Sequence, residues 1–162
     1  MVKKVLTLAF PCRDRQILLG FKKRGFGSGL YNGFGGKLEA GETIEAGMLR
    51  ELKEEVALVA TKYVKLGVIT FYYTDSELEV HVFKVTEFVG TPTESEEMTA
   101  VWFEEASIPL TKMWPDDEYW LPLFLANKPF AGKYWFSEET DELGRLRITK
   151  QELTELKTCY FA

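Results

Sequence analysis

An α+β fold, with a mixed central β-sheet held between helices as an α/β/α sandwich, is what this sequence predicts. Short β-rich runs recur along the chain, and two helical stretches fall between them in no repeating order. The length of 162 residues suits one domain. A chain near that size hides about 68–70% of its unfolded surface.

The elements follow in chain order. Val5–Phe10 and Gln16–Phe21 read as strands, with the polar turn Cys12-Arg13-Asp14-Arg15 as a hairpin signal. The glycines of Gly25-Phe26-Gly27-Ser28-Gly29 and Asn32-Gly33-Phe34-Gly35-Gly36-Lys37 mark backbone turned sharply or held close to something. A helix is expected from Thr43 to Val56, with Thr43 as N-cap and Glu45 in the positive first turn. Val64–Tyr73 and Leu78–Val85 read as strands joined at Thr74-Asp75-Ser76, and Ala100–Glu104 as another. Glu118–Ala126 reads as a helix that Pro122 shortens or kinks. Lys133–Phe136 and Arg145–Ile148 are late strands. Thr149-Lys150-Gln151-Glu152 has capping-box spacing, so residues 149–162 are expected as an extension to a 1–148 domain, either a short helix or a frayed tail.

Composition narrows the function. Hydrophobic residues make up 46% and charged residues 28%, the balance of a globular protein rather than a disordered or collagenous one. Twenty Lys+Arg against 25 Asp+Glu leave a net charge of −5, so a basic footprint for long nucleic acid is absent. An acidic protein can still handle a phosphorylated small molecule if a divalent metal supplies positive charge. No stretch reaches the roughly 18 apolar residues of a membrane span. The six apolar-rich residues Val5–Phe10, ended by Pro11-Cys12-Arg13, are too short for a signal peptide. Cys12 and Cys159 form neither a disulfide framework nor a metal set, which fits a reducing cytoplasm and buried or idle thiols. His81, in an alternating strand, is either a structural residue or a ligand contact.

The chemistry concentrates in the first helix. At about 100° per residue, Met48, Leu49, Leu52 and Val56 share one arc, while Glu51, Glu54 and Glu55 share the next. Gly47 lies on the acidic face one turn earlier, leaving room for a ligand or a close backbone. Like charges at this spacing destabilise a helix slightly. Two readings follow: a solvated face partnered by Arg50 and Lys53, or a site for a hard divalent cation.

The spacing resembles the Nudix box: Gly, five residues, Glu, seven residues, then Arg-Glu-apolar-x-Glu-Glu-x-Gly-apolar. Gly36, Glu42, Arg50, Glu51, Leu52, Glu54, Glu55 and Leu58 match, eight of nine defined positions over 23 residues. Ala57 stands where the pattern has its last glycine. If that position needs a left-handed backbone, alanine costs about 1–2 kcal/mol there. The resemblance implies a Nudix fold and hydrolysis of a nucleoside diphosphate linked to another group. It implies Glu51, Glu54, Glu55 and the Gly36 carbonyl as ligands to Mg²⁺, with Mn²⁺ as the alternative ion. Arg50 would orient the glutamates and Glu42 would be its outer partner. Glu97 is either one more metal carboxylate or an exposed acidic turn.

The resemblance extends from about residue 5 to residue 136, and the remainder matches weakly. Lys22-Lys23-Arg24-Gly25-Phe26-Gly27, Asn32-Gly33-Phe34-Gly35-Gly36-Lys37, His81-Val82-Phe83, Gly90-Thr91-Pro92 and Met113-Trp114-Pro115-Asp116-Asp117 are similar to the MutT-homologue branch of the family. That branch acts on oxidised purine nucleoside triphosphates such as 8-oxo-dGTP and 2-hydroxy-dATP. The resemblance implies that Asn32 bonds the base edge, Asp116 and Asp117 read its Watson–Crick side, and Trp114 stacks on it. Phe26, Phe71 and Tyr73 would be further walls, Thr7 and Leu8 the floor, and Lys22 would hold an oxygen near the base or sugar. Tyr31 replaces the usual tryptophan. Two nearby carboxylates cannot both ionise easily, so one keeps a proton and donates while the other accepts. The plainer reading is that the aspartates merely start the next helix.

The expected function is therefore a cytoplasmic, monomeric pyrophosphohydrolase. It takes a small nucleotide and engages neither long nucleic acid nor membrane. Its rivals are a Nudix hydrolase of another nucleotide and a non-catalytic Nudix domain that binds a nucleotide or a protein. The intact set of three glutamates argues against the last.

Overall fold

Two long hairpins and two parallel pairings build a mixed sheet of eight strands. The structure, a computed structural model, describes residues 2–158; Cys159 and the end of the expected extension lie outside the described residues. The strands are β1 (Val2–Arg13), β2 (Gln16–Lys22), β3 (Tyr31–Asn32), β4 (Val59–Tyr72), β5 (Ser76–Val89), β6 (Met98–Glu104), β7 (Phe130–Thr140) and β8 (Leu146–Glu155). The helices are α1 (Ile44–Val56) and α2 (Asp117–Leu125). The sheet order is β3-β2-β1-β5-β4-β7-β8, with β6 paired to β2. β1 runs parallel to β5, and β4 runs parallel to β7.

Alternation along the strands makes two cores, because successive side chains leave opposite faces of a sheet. Phe10, Ile17, Leu19, Val80 and Val82 pack with Trp120, Leu121 and Phe124 of α2. Ala9, Leu18, Phe83 and Val85 pack with Met48, Leu52 and Val56 of α1. The helices therefore cover opposite faces, as the predicted sandwich requires.

Local chemistry sets the limits of α1. Thr43 Oγ1 accepts the Ala46 amide at 3.1 Å, an N-cap in extended backbone. Ala57 ends the helix in left-handed backbone, φ 62° and ψ 27°, and its amide donates to Lys53 O at 3.0 Å. The strain anticipated for alanine is thus present. Ala57→Gly should stabilise the protein by about 1 kcal/mol, the left-handed penalty less the added entropy of unfolded glycine. Urea unfolding checks this, and an unchanged or lower midpoint would contradict it. Pro122 lies inside α2, and the helix ends three residues later.

Residues 149–155 correct an expectation: they form strand, not a short helix or frayed tail. Pairing with β8 satisfies the backbone groups along β7. The Thr149 hydroxyl donates to Trp135 O at 3.2 Å instead of capping a helix, and Lys150 Nζ lies 4.7 Å from the centre of a Trp135 ring. Leu146, Ile148 and Leu153 cover the α2-side core.

Candidate active site

One cavity, about 220 Å³, is lined by Leu6, Thr7 and Leu8 of β1, Phe71 of β4, and Leu78 and Val80 of β5. The remaining walls come from β2, β3, β6, both helices and the loops between these elements. Phe26, flanked by the left-handed Gly25 and Gly27, is 64% exposed. Its ring centre lies 5.2 Å from that of Trp114 and 6.2 Å from that of Tyr73. Lys22, Asn32, Trp114, Asp116 and Asp117 also line it. Asn32 Oδ1 accepts the Gly33 amide at 2.9 Å, which leaves its NH₂ group as the available donor.

Asp116 and Asp117 do begin α2, yet neither side chain caps it by a hydrogen bond to its amides. Both residues are buried, at 1% and 2% exposure. Asp116 Oδ2 accepts the Trp120 indole N–H at 2.7 Å, across one helical turn. Asp116 Oδ1 and Asp117 Oδ2 are buried without a partner. Burial pushes both carboxyls above their ordinary range, and for Asp117 the neighbouring Asp116 adds to the rise. The Trp120 indole N–H and the charge of Arg145 favour an ionised Asp116. The pair therefore offers one proton and one acceptor.

A second cavity, about 510 Å³, shares Lys22, Gly35, Glu55 and Met98 with the first. Glu51, Glu54 and Glu55 of α1 line it, and Glu97 faces them from the loop before β6. Arg50 organises this wall. Its Nε donates to Glu42 Oε2 at 2.7 Å and its Nη2 to Glu42 Oε1 at 3.0 Å. Its Nη1 donates to Glu51 Oε1 at 3.0 Å and Glu54 Oε2 at 3.2 Å. The guanidinium holds the Glu42 carboxyl down at about 2. Glu55 Oε1 accepts the Gly35 amide at 2.6 Å. Burial, reinforced by the charges of Glu51 and Glu97, pushes Glu55 up to about 8, although the Gly35 amide and Lys22 pull the other way. Burial also raises Glu51, against the pull of Arg50.

Several features fit a hard divalent cation. Three carboxylates share one wall, and burial disfavours the charge on two of them, which a bound cation would restore. Gly36 has no Cβ where one would sit 2.6 Å from Glu51 Oε1, so that carboxylate reaches the backbone beside the Gly36 carbonyl. That carbonyl already accepts the Thr7 amide at 3.0 Å, and its second lone pair is left for a ligand. Among the described residues no three His, Cys, Asp or Glu side chains are already drawn together as a metal cage. Glu51 and Glu54 each give an oxygen to Arg50, and each keeps another.

Packing decides between the alternatives that the sequence leaves open at two residues. Gly47 does not open space for a ligand: a side chain there would run into Leu38 and the Glu42 carboxylate. The glycine lets the preceding loop close on α1. His81 takes its structural role. It is buried, with Nε2 2.8 Å from Glu79 Oε1 and Nδ1 3.3 Å from Lys65 Nζ, whereas Leu78 and Val80 line the cavity.

Sequence reasoning missed Leu6, Val80, Met98 and Trp120 as lining residues. Trp120 was findable, because it sits four residues after Asp116 on a predicted helix. Val80 follows from strand alternation once the facing side is known. Met98 joins the site only through the pairing of β6 with β2, which no local pattern announces.

Comparison with known proteins gives a consistent picture. The NUDIX domain model matches residues 3–124. The oxidized purine nucleoside triphosphate hydrolase of Mus musculus is 46% identical over 138 residues, covering 84% of this chain and 88% of that protein. The enzyme of the same name from Danio rerio is 46% identical over 135 residues, 82% and 86% of the two chains. The solved structure of the mutator MutT protein from Bacillus halodurans superposes with a TM-score of 0.80 at 22% identity, covering 93% of this chain and 97% of that one.

Proposed function

The chain belongs to the Nudix family, and from that premise we propose that it is a magnesium-dependent hydrolase of oxidised purine nucleoside triphosphates, releasing the monophosphate and pyrophosphate. One observation carries the reading. An aromatic cavity with a buried aspartate pair adjoins an acidic cavity, the two sharing Lys22, Gly35, Glu55 and Met98 as lining. A nucleotide has the same two halves, a flat hydrogen-bonding base and a polyphosphate that travels with a divalent cation.

In this reading Trp114 and Phe26 stack on the purine, with Phe71, Tyr73, Thr7 and Leu8 as further walls. Asn32 and the aspartate pair bond the base edges. Lys22, at the junction, meets an oxygen of the sugar or phosphates, and Arg24 lines the phosphate side. Glu51, Glu54, Glu55, Glu97 and the Gly36 carbonyl hold magnesium, for which manganese can substitute. Held there, the metal would neutralise the triphosphate and make its phosphorus more electrophilic. Arg50, fixed by Glu42, restrains Glu51 and Glu54, so little reorganisation is needed when substrate arrives. The carboxylate oxygens left free by Arg50 and Gly35 position the attacking water. No helix among the described residues is long and apolar enough to cross a membrane. We place the enzyme in the cytoplasm as a monomer, guarding the nucleotide pool.

The test is product analysis over a nucleotide panel with Mg²⁺, repeated with EDTA. Oxidised purine triphosphates should give monophosphate and pyrophosphate, and chelation should stop the reaction. Release of orthophosphate and a nucleoside diphosphate, or turnover that survives EDTA, would contradict it.

A further inference from the structure

The matched family domain stops at residue 124, yet Arg145, from beyond it, reaches the frame of the base cavity. The turn between β7 and β8 is a built structure. Asp141 Oδ1 accepts the amides of Leu143 and Arg145, each at 2.9 Å, and Asp141 N donates to Arg145 O at 2.6 Å. Gly144, at φ 79°, supplies the left-handed step. Asp141 Oδ2 then takes Arg145 Nε at 2.9 Å, which aims the guanidinium away from the hairpin. Its Nη1 donates to Leu110 O at 3.2 Å and Met113 O at 3.0 Å. The Arg145 side chain is only 13% exposed.

Those two carbonyls bracket the turn that delivers Trp114 and, directly after it, Asp116 and Asp117. Met113 is fully buried and bridges to Tyr31, the neighbour of Asn32. We propose that Arg145 is a positioning residue for substrate selection: its guanidinium holds the segment that carries Trp114, Asp116 and Asp117, and its charge acts on the aspartate pair. This rests on the reading of that pair as the base reader.

The electrostatics agree with the geometry. Burial raises both aspartates, and Arg145 opposes that rise in each. The pair is faced by Trp120 from α2, Tyr73 after β4, Tyr134 from β7 and Arg145 from the β7–β8 turn. Tyr73 and Tyr134 are neutral, because burial pushes both hydroxyls well above their ordinary range. Arg145 is the cation that opposes the rise in both aspartates. A lysine would keep the charge but not the planar fork that serves Asp141 and two carbonyls together.

The experiment compares wild type with Arg145→Met, Arg145→Gln and Arg145→Lys, using Mg²⁺ and 8-oxo-dGTP from pH 6 to 10. Carboxyl carbons of Asp116 and Asp117 are titrated in parallel by NMR without substrate. In the neutral variants KM should rise about tenfold with kcat changed by less, because groups that bind the base are misplaced. The pair's titration should move up by about half a unit or more once the cation is gone. Arg145→Lys should also raise KM, yet keep the titration near that of wild type. Arg145→Gln gives the same comparison if Arg145→Met does not fold. A lower Tm with KM and titration both unchanged would overturn the proposal. If wild type hydrolyses no oxidised purine triphosphate, the functional reading fails. The substrate-free titration then still decides whether Arg145 acts on the pair: an unmoved midpoint in the neutral variants overturns the proposal, and a raised one sustains it.

Discussion

Glu55→Gln should abolish nearly all turnover and leave the fold intact. The amide oxygen can still accept the Gly35 N–H, so the contact that orients this side chain survives. Only the capacity to carry negative charge is lost. Because the site buries Glu55 enough to push its carboxyl up to about 8, folding loses nothing when the charge is removed. In the proposed mechanism, catalysis would lose a cation ligand beside Glu51. Glu54→Gln should act the same way from a more exposed position, since Arg50 Nη1 can still bond the amide oxygen. Circular dichroism and turnover at saturating Mg²⁺ check both. A variant that keeps more than about a tenth of wild-type turnover, only about 1.4 kcal/mol of barrier, would remove that residue from the set of ligands.

The aspartate pair should give the second large effect, on base choice and its pH dependence. The buried pair holds one proton that an exposed pair would have lost, since burial raises both carboxyls and Asp116 raises Asp117 further. Purine binding that uses this proton is therefore present at lower pH and lost as pH rises through the raised value. KM should climb on the alkaline side while turnover at saturation holds or increases. Asp117→Asn should flatten that climb, because an amide cannot lose the proton. Asp116→Asn should be more disruptive. Its oxygen keeps the Trp120 indole, but its NH₂ group replaces Oδ1, the buried acceptor that has no partner among the described residues. Each change should penalise 8-oxo-dGTP and 2-hydroxy-dATP unequally. Kinetics of both substrates from pH 6 to 10 decide the matter. Flat Michaelis constants, or equal small losses on every nucleotide including pyrimidines, would rule out the pair as a base reader.

Much of this was legible in the sequence because the signals are local. The spacing of Thr43, Glu45 and the apolar arc gave α1 its start, face and end. The hairpin around Asp14 followed from polar residues between β-rich runs, and β1 and β2 pair antiparallel there. Ala57 announced its own strain. The failures came where distant pairing overrode local preference. Thr149-Lys150-Gln151-Glu152 satisfies a helix rule, but an open edge along β7 offers those backbone groups better partners. Gly47 could be read as room for a ligand or for close packing, because the sequence does not reveal that Leu38 folds back on it. Strand boundaries were too short for the same reason: β4 and β5 run on to Val59 and Val89 by pairing with each other, through bulges that break the alternation. At the candidate site the residue types were readable from the motifs. That Lys22, Glu55 and Met98 line both cavities was not, since it depends on β2, α1 and β6 meeting.

The most direct measurement is a competition in one tube between 8-oxo-dGTP and dGTP with Mg²⁺, following both as they disappear. A pocket built to hydrogen-bond an altered base edge should discriminate strongly. The oxidised nucleotide should be consumed with kcat/KM at least about tenfold higher, or about 1.4 kcal/mol of transition-state preference. Equal consumption, or preference for dGTP, would contradict the account even if magnesium-dependent hydrolysis is found.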